Sequence, residues 1–407
     1  MKKTVLKKYA ALIARMGVNI QKGQDVFIHA QPDQPEFIYI LTEECYKAGA
    51  ANVFVEFSFE PLTKLHLKYR RESDLSKVMP WELEKLKFRA EKLPCMIYIL
   101  SEDPDGLKGA DQEKLSRASQ KRYPVIKPFR DAMENRYQWC IAAVPGEKWA
   151  KKLFPELRTS AAVEKLWEAI LDASRALGEP IENWKAHNSF ISDRCSKLNS
   201  MGIAALHITS SNGTDIKIGF NEKARFCGGS EPTVSGVCFN ANIPSEETYV
   251  TPDRSKTCGK VVSTMPLSYR GQLINDFWIR FEKGKAVEWD AKTNKELLDE
   301  MIGMDEGSAY LGECALVPYN SPISLSGLLY YNTLFDENAS CHLAVGEGYS
   351  NCIDGYDKME KADLKKIGVN ESMIHVDFMF GTEDLKIEAE CFDSKKVLIF
   401  NNGNWAF

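Results

Sequence analysis

Short apolar segments alternate with helix-length connections in the first third of this chain, and this alternation constrains the fold more than any other feature. One connection, residues 35–48, has helical periodicity and ends before Gly49. Apolar strands joined by helices are typical of a parallel sheet covered on both faces. The sequence therefore predicts an N-terminal Rossmann-like α/β domain with four strands: DVFIHA (25–30), NVFVEF (52–57), CMIYIL (95–100) and QWCIAAV (138–144).

The character of the sequence changes after a predicted helix at 161–177, which Gly178 and Pro180 close. Residues 205–220 alternate in polarity around Asn212-Gly213, which predicts a β-hairpin. A chain of 407 residues fits two domains of average size. We expect an α/β domain at 1–190 and a β-rich, mixed-sheet metal-binding domain of α+β type at 191–407, with further β-rich segments at 235–243, 261–265 and 272–290.

No predicted parallel strand is followed by a GxGxxG or GxxxxGK[ST] sequence. These glycine-rich turns are the usual means by which parallel sheets bind nucleotide phosphates. A nucleotide-binding enzyme is therefore disfavoured, and the first domain is interpreted as a scaffold and a wall of the substrate access route.

Charge, cysteine usage and hydropathy exclude several other classes of protein. A net charge of −5, without a basic stripe, argues against a nucleic-acid partner. Residues 1–17 predict an amphipathic helix ending at Gly17 rather than a signal peptide, and no stretch approaches the length of a membrane span. The 11 cysteines are an odd number without CxxC pairs, which is typical of reduced thiols. We expect a cytoplasmic protein with no membrane partner.

Two of the six histidines have neighbours that suggest chemistry. His342 lies in DENASCHLAVGEGYSN, and His375 lies two residues before Asp377 in IHVDFMFG. Positions i and i+2 of a strand face the same side, so His375 and Asp377 should point together, away from an apolar layer. Such a pair makes either an ion pair or two ligands for one cation. The other four are interpreted as structural or solvated imidazoles: His29, His66, His187 and His207.

Carboxylates also occur in two further predicted strand segments, although they do not favour strand formation. Glu313 lies in the apolar run LGECALVP, and Glu246 and Glu247 are adjacent in NIPSEETYVTP. A buried, isolated carboxylate costs several kcal/mol unless it is paired or coordinated. Carboxylates with imidazoles are a typical ligand set for Zn²⁺ and its first-row neighbours. Divalent cations would therefore make the adjacent carboxylates tolerable.

Four motifs, NIPSEETYVTP, GECALV, DENASCHLAVGEGY and HVDFMFG, occur in an order and spacing that resemble the aminopeptidase T / aminopeptidase S family of two-metal exopeptidases. The specific resemblance runs from about residue 239 to 381, and a looser one covers the first domain in GVNIQKGQDVFIHA and CYKAGA.

The resemblance implies a metal-dependent aminopeptidase that hydrolyses the N-terminal peptide bond of short peptides. It implies two divalent cations per chain (Zn, Co, Mn or Mg) and a homodimer whose active sites open into an enclosed cavity. Departures from the family are expected between the ligands, at Ser350–Cys352, where they would shape the substrate pocket. The implied metal ligands are Glu247, Glu313, His342, His375 and Asp377, with Tyr349 also at the centre.

A mechanism for such a centre starts from two cations about 3.5–4 Å apart that share one water and lower its pKa. The resulting hydroxide would attack the first peptide carbonyl, with Glu247 as a ligand and Glu246 as general base. In the alternative, Glu246 points away and pairs with a surface cation. Tyr349 would bind a metal or donate a hydrogen bond to the oxyanion. Residues 336–338 are interpreted as a helix cap, or else as groups that orient the imidazole of His342.

Two other functions use the same residues. Another two-metal amidohydrolase or a dipeptidase would need the same ligands, and a metal-stabilised binding protein would hold its cations only structurally. A carboxylate-rich set with a tyrosine favours an open, catalytic site over a structural one.

The segment before the Glu246-Glu247 pair contains Arg225, Cys227, Gly228 and Gly229. The two glycines would permit close approach of the backbone to a ligand.

Overall fold

The computed structural model describes residues 1–407, and the chain divides into two compact units. The first unit consists of Met1–Ala186 and Ser230–Pro244, and the second unit of His187–Gly229 and Ser245–Phe407. This division differs from the predicted boundary after residue 190 mainly at 230–244, which the prediction assigned to the second domain. The chain returns once to the first unit before it re-enters the second.

Most helices lie in the first unit, and one of them, α9, runs through the boundary at residue 186. None is both long enough and apolar enough to cross a membrane. The predicted helix at 35–48 is confirmed as α2, whereas the one at 161–177 ends earlier, at Ala173. The helices are α1 Lys3–Leu12 (continued by a π-helical turn, Ile13–Gly17), α2 Pro35–Ala48, α3 Glu60–Tyr69, α4 Glu72–Leu75, α5 Pro80–Lys92, α6 Gln112–Met133, α7 Glu147–Leu153, α8 Thr159–Ala173, α9 Pro180–Ser200, α10 Lys295–Ile302, α11 Pro322–Leu325, α12 Thr333–Asp336 and α13 Lys361–Lys366.

The strands are β1 Asp25–Ala30, β2 Asn52–Phe57, β3 Cys95–Leu100, β4 Trp139–Ala143, β5 Ile203–Thr209, β6 Asp215–Gly219, β7 Glu231–Pro232, β8 Cys238–Phe239, β9 Asn242–Ile243, β10 Thr248–Val250, β11 Thr257–Val262, β12 Leu267–Tyr269, β13 Gln272–Glu282, β14 Lys285–Thr293, β15 Leu311–Leu316, β16 His342–Gly346, β17 His375–Met379, β18 Lys386–Cys391, β19 Lys396–Asn401 and β20 Asn404–Trp405.

A parallel sheet in the order β2–β1–β3–β4–β9 forms the centre of the first unit. The four predicted strands are confirmed as β1–β4. Strand β2 is an exception to the expected burial on both faces. It is mostly exposed, because it is the edge strand of the sheet. The segment at 235–243 was predicted in the β-rich domain, but its last residues form β9 and pair with β4 in the first unit.

Two antiparallel sheets build the second unit. The larger has nine strands, in the order β12–β13–β11–β6–β5–β18–β19–β20 with β14 beside β13, and the smaller has the order β10–β15–β16–β17. The hairpin predicted at 205–220 is confirmed as β5 and β6. Apolar side chains of both sheets and of α10 share one hydrophobic core. The predicted combination of an α/β domain with a β-rich domain is thus confirmed as the fold class.

Tyr9 ties the first helix to the central sheet, and its removal provides a test of this packing. The buried hydroxyl donates to the carbonyl of Ala143 at 3.1 Å and accepts from the amide of the same residue at 3.3 Å. Tyr9→Phe should lower the free energy of unfolding by about 1–3 kcal/mol, because it removes both bonds inside the core. Urea unfolding followed by tryptophan fluorescence measures the loss. Tyr39→Phe, at a residue 71 % exposed, should change it by less than about 0.5 kcal/mol, and equal effects of the two variants would contradict the prediction.

Candidate metal centre

The four-stranded sheet of the second unit has two chemically different faces. Successive strand residues point to opposite sides, so the residues that alternate with the apolar ones share the other face. On that face the register places Glu313 and Asp377 in one row, separated by Ala344. The apolar face belongs to the hydrophobic core and includes Val250, Cys314, Leu316, Leu343, Val345 and Phe378.

Small residues alternate with the polar ones on this face of the sheet. Ala315 lies opposite His342, and Gly346 lies opposite His375. The expectation that His375 and Asp377 point together, away from an apolar layer, is confirmed by the 3.3 Å between His375 Nε2 and Asp377 Oδ1. A polar hollow with a floor of alanine and glycine can accommodate ions.

A β-bulge at Gly312 sets the direction of Glu313. The pairing shifts between Leu311 and Glu313, so Leu311 lies opposite Val345 on the core face while Glu313 faces the hollow. Without the shift, residues 311 and 313 would point the same way. A Cβ at Gly312 would lie 2.1 Å from the carbonyl oxygen of Glu347, so only glycine fits.

Two groups of ligand atoms converge in this hollow and share Glu313. One group is Glu247, Glu313 and His342, and the other is Glu313, His375 and Asp377, with all atoms of a group within 4.8 Å of one another. His342 Nε2 lies 3.1 Å from Glu247 Oε2, and His375 Nε2 lies 2.9 Å from Glu313 Oε2. The structure therefore brings the five expected ligands together from four separate segments.

Both imidazoles are oriented by backbone carbonyls. His342 Nδ1 lies 3.1 Å from the carbonyl oxygen of Ser340, and His375 Nδ1 lies 2.7 Å from that of Glu347. Since a carbonyl oxygen only accepts, each Nδ1 carries a hydrogen and each Nε2 faces the carboxylates. This tautomer is the one that presents a lone pair to a cation, and such a carbonyl contact is typical behind a metal-binding histidine.

The hollow has an excess of buried negative charge. No lysine or arginine lies within ion-pair distance of Glu247, Glu313 or Asp377. Burial, reinforced by the other two carboxylates, raises the pKa of Glu313 to about 7. Burial opposes ionisation of Asp377, but the charges of His375 and His342 and the hydrogen bonds of His375 and Glu313 together outweigh it and lower the pKa. Asp377 Oδ1 is buried and makes no hydrogen bond, so this donor set fits divalent cations.

His342 and Tyr349 respond to the same field. Burial opposes protonation of His342, but the adjacent Glu247 outweighs it and raises the pKa of the imidazole to about 10. Burial and the charges of Glu313 and Asp377 raise the pKa of Tyr349 well above its usual value. The Tyr349 hydroxyl lies 3.0 Å from His375 Nε2, which places it at the edge of the second ligand group.

Glu337 is a member of the cluster that the sequence interpretation missed. It is 8 % exposed, and burial together with the charges of Asp377 and Glu247 raises its pKa well above the usual range. The favoured interpretation of residues 336–338 as a helix cap is wrong. Asn332 caps α12, and Asp336 accepts hydrogen bonds from the amides of Tyr330 and Asn332. The available signal was its place in the motif DENASCHLAVGEGY, five positions before His342.

Glu246 differs from its neighbour. It is half-buried and belongs to neither ligand group, whereas Glu247 is 7 % exposed and belongs to the first. Its amide donates to Asn338 Oδ1 at 2.6 Å. The guanidinium of Arg194, stacked between the rings of Phe190 and Trp405, lies close enough for its charge to interact with Glu246.

The other four histidines are absent from both ligand groups. In the first unit His29 stacks on Tyr98, and in the second unit His187 Nε2 lies 2.7 Å from the carbonyl oxygen of Ser245. His207 pairs with Asp215 at the surface, and His66 is exposed on α3. These contacts are structural.

Comparisons with known proteins agree with the geometry. The model of the thermophilic metalloprotease (M29) family matches residues 2–405. Aminopeptidase AmpS of Bacillus subtilis is 37% identical over 404 residues, which cover 99% of this chain and 98% of that protein. Aminopeptidase T of Thermus aquaticus is 34% identical over 402 residues, covering 98% of each chain. The structure of wild-type AmpT from Thermus thermophilus matches with a TM-score of 0.90 at 34% identity, covering 100% of both chains.

Gly312→Ala should damage both stability and metal binding. The added methyl group meets backbone oxygens of the neighbouring strand, so the bulge must distort, at a cost of about 1–3 kcal/mol. The side chain of Glu313 then no longer points towards the other ligands, which weakens metal binding. Thermal unfolding and zinc titration measure the two effects. Val287→Ala, at an exposed residue of the larger sheet, is the control, and normal zinc affinity in Gly312→Ala would refute the role of the bulge.

Zinc binding to the metal-free protein should release protons, and the apparent affinity should rise with pH. Glu313, with a pKa of about 7, and His342, with a pKa of about 10, both hold protons at slightly acidic pH, and a cation must displace them. Titration in weak buffer with a pH indicator measures the release, which Glu313→Gln should reduce. An affinity that stays constant between about pH 6 and 8 would contradict the prediction.

Proposed function

This chain belongs to the thermophilic metalloprotease family M29, and we propose that it acts as a metal-dependent aminopeptidase. It removes the N-terminal residue of short peptides by hydrolysis at the four-stranded sheet of the second unit. The observation that carries the proposal is the convergence of two ligand groups on one shared carboxylate, Glu313.

Two divalent cations per chain would occupy these groups. Glu247, Glu313 and His342 would hold one, and Glu313, His375 and Asp377 the other, with Glu313 as the bridge. Glu337, buried beside the same carboxylates, is a further candidate ligand. Oxygen and imidazole donors suit Zn, Co, Mn and Mg. When bound, such cations acidify water and polarise the scissile carbonyl.

Proton transfer is the proposed role of Glu246. Its carboxylate is half-buried next to the ligand Glu247, and Asn338 fixes its backbone amide. A carboxylate in this place would take a proton from the attacking water and return it to the leaving amine. Arg194 is the competing partner, because its charge attracts the same carboxylate. The two roles of Glu246 differ in their effect on turnover.

Tyr349 is proposed to stabilise the tetrahedral intermediate. Its raised pKa keeps the hydroxyl protonated, so the group can donate a hydrogen bond to the developing oxyanion. The imidazole of His375 contacts this hydroxyl and orients it towards the second ligand group. Coordination of the phenolic oxygen to a cation is the other role that this position allows.

The preference for a free N-terminus would follow from ligand chemistry. The α-amine of a peptide has a nitrogen lone pair that a divalent cation held by either ligand group would accept. The amide nitrogen of an acetylated N-terminus does not offer this lone pair.

The surroundings of the enzyme are also part of the proposal. We propose a cytoplasmic homodimer. None of the 11 cysteines forms a disulfide, which favours the cytoplasm. Exposed aromatic side chains on α3 and α5 favour a contact between two copies. Tyr69 is 72% exposed and Trp81 is 63% exposed, which favours a contact surface on the first unit.

The assay that tests the proposed function compares leucine p-nitroanilide with its N-acetyl derivative. The zinc- or cobalt-loaded protein should cleave the first and leave the second intact, because acetylation removes the amine lone pair that a cation would bind. A chelator should abolish turnover, and added metal should restore it. Circular dichroism separates this loss from unfolding. Cleavage of the acetylated substrate would indicate another amidohydrolase, and unfolding on chelation would indicate a structural metal.

Glu246→Gln should lower kcat by about 10²–10⁴-fold at unchanged metal content, because the amide cannot carry a proton. Glu222→Gln, at an exposed residue of the same unit, should have no effect on kcat. Metal analysis and steady-state kinetics are the measurements. Turnover within a few-fold of wild type would assign Glu246 to the ion pair with Arg194.

A further inference from the structure

Two segments without a function in the mechanism meet beside the metal centre. One contains Arg225, Cys227 and the two glycines that follow it, and the other is the run Ser350–Cys352. An antiparallel bridge joins Ala224 to Ile353, and the amide of Arg225 donates to the carbonyl of Cys352 at 2.8 Å. Cys227 and Cys352 pack in one apolar cluster with Tyr249, Ala315 and Tyr349.

Cys227 has the surroundings of a reactive thiol. It is partly exposed, and its sulfur lies 3.6 Å from the carbonyl oxygen of Asn351, next to Cys352 in the chain. The charge of Arg225 interacts with both Cys227 and Cys352, and Arg225 Nε is buried without a hydrogen-bond partner. Partly exposed cysteines beside a cation are the ones that react with oxidants in proteins.

The other nearby cysteines differ from Cys227. Cys195 is buried, and burial raises the pKa of its thiol to about 12. Cys314 and Cys341 are buried as well. Cys352 is also buried but lies directly across from Arg225, so it can act as the second thiol once Cys227 has been oxidised.

Both thiols connect to residues of the proposed mechanism. Cys227 exchanges two backbone hydrogen bonds of 2.8 Å with Tyr249, two residues after Glu247. A Cβ at Gly228 would lie 2.5 Å from the carbonyl oxygen of Glu247, so these backbones touch. The amide of Cys352 donates to the carbonyl of Tyr349 at 3.2 Å. A covalent change at the two cysteines would therefore act on both sides of the metal centre.

We propose that Cys227 and Cys352 form an oxidant-sensitive dithiol that switches the aminopeptidase off when it closes to a disulfide. With hydrogen peroxide as the oxidant, the Cys227 thiolate attacks one peroxide oxygen, forms a sulfenic acid and releases hydroxide. The Cys352 thiol then attacks the Cys227 sulfur and expels the sulfenic oxygen as water. Two thiols are oxidised to one disulfide, and one peroxide is reduced to two waters.

Closure of this disulfide constrains two segments of the metal centre, and this constraint accounts for inactivation. A disulfide allows Cα separations of only about 4.4–6.8 Å. Cys352 is buried in the 3₁₀ turn that follows Tyr349, and the backbone of Cys227 pairs with Tyr249. The bond therefore ties the turn that carries Tyr349 to the strand that follows Glu247. A misplacement of about 1 Å at a catalytic group lowers turnover by up to about 10²-fold.

The test treats the zinc-loaded protein with dilute hydrogen peroxide and then with a phosphine reductant. Turnover of leucine p-nitroanilide should fall tenfold or more, a loss expected from about 1 Å of misplacement, and should recover on reduction. Non-reducing peptide mass spectrometry should identify the Cys227–Cys352 link. Cys227→Ser should resist peroxide, and so should Cys352→Ala, with the turnover of each variant after treatment compared with its own turnover before treatment. Cys258→Ser, at an exposed cysteine of the same unit, should remain as sensitive as wild type.

The activity part of this inference rests on the proposed function, but the mass measurement does not. A protein that never cleaves the substrate before oxidation refutes the proposed function, while the disulfide remains testable by mass. A Cys227–Cys195 link, no link, or a link without loss of turnover would each overturn the switch. Equal peroxide sensitivity of Cys227→Ser and wild type would also overturn it. The disulfide is identified by mass spectrometry in the wild-type protein, so the test does not depend on correct folding of Cys352→Ala.

Discussion

Mutual repulsion of buried carboxylates is the constraint on which the second unit depends. Glu247, Glu313, Glu337 and Asp377 lie within one hollow without a lysine or arginine as partner. In a metal-free state the cluster holds extra protons, as the raised pKa of Glu313 indicates. Removing such charges from water costs several kcal/mol each unless a cation or proton compensates. Divalent cations are thus part of the stable arrangement as well as of the chemistry.

The antiparallel sheet reconciles this repulsion with a stable fold. Its apolar face packs into the core, and the same strands present the ligands on the opposite face. The bulge at Gly312 allows both Leu311 and Glu313 to point where they are needed. Backbone carbonyls orient the two imidazoles without further side chains. Precision at the centre therefore comes from backbone geometry, which most surface substitutions leave unchanged.

Much of the fold and part of the site could be predicted because they depend on local periodicity. The alternation of residues 374–378 was enough to predict that His375 and Asp377 point together, away from an apolar layer. Glu337 was missed, since it lies between Asp336 and Asn338, residue types typical of helix caps, and its burial depends on strands far away in sequence. The strand at 242–243 was placed in the wrong unit because a two-residue strand has no periodicity to recognise.

The sequence by itself determined the types of the elements, the apolar faces and, through a family resemblance, the chemical identity of the expected ligands, because each follows from residue spacing or from short motifs. Only the tertiary structure decided that Glu313 is shared between two ligand groups and that Glu246 lies outside both. It also decided that Cys227 meets Cys352. These relations join residues up to about 130 positions apart, and strand register, which no local pattern specifies, sets their distances.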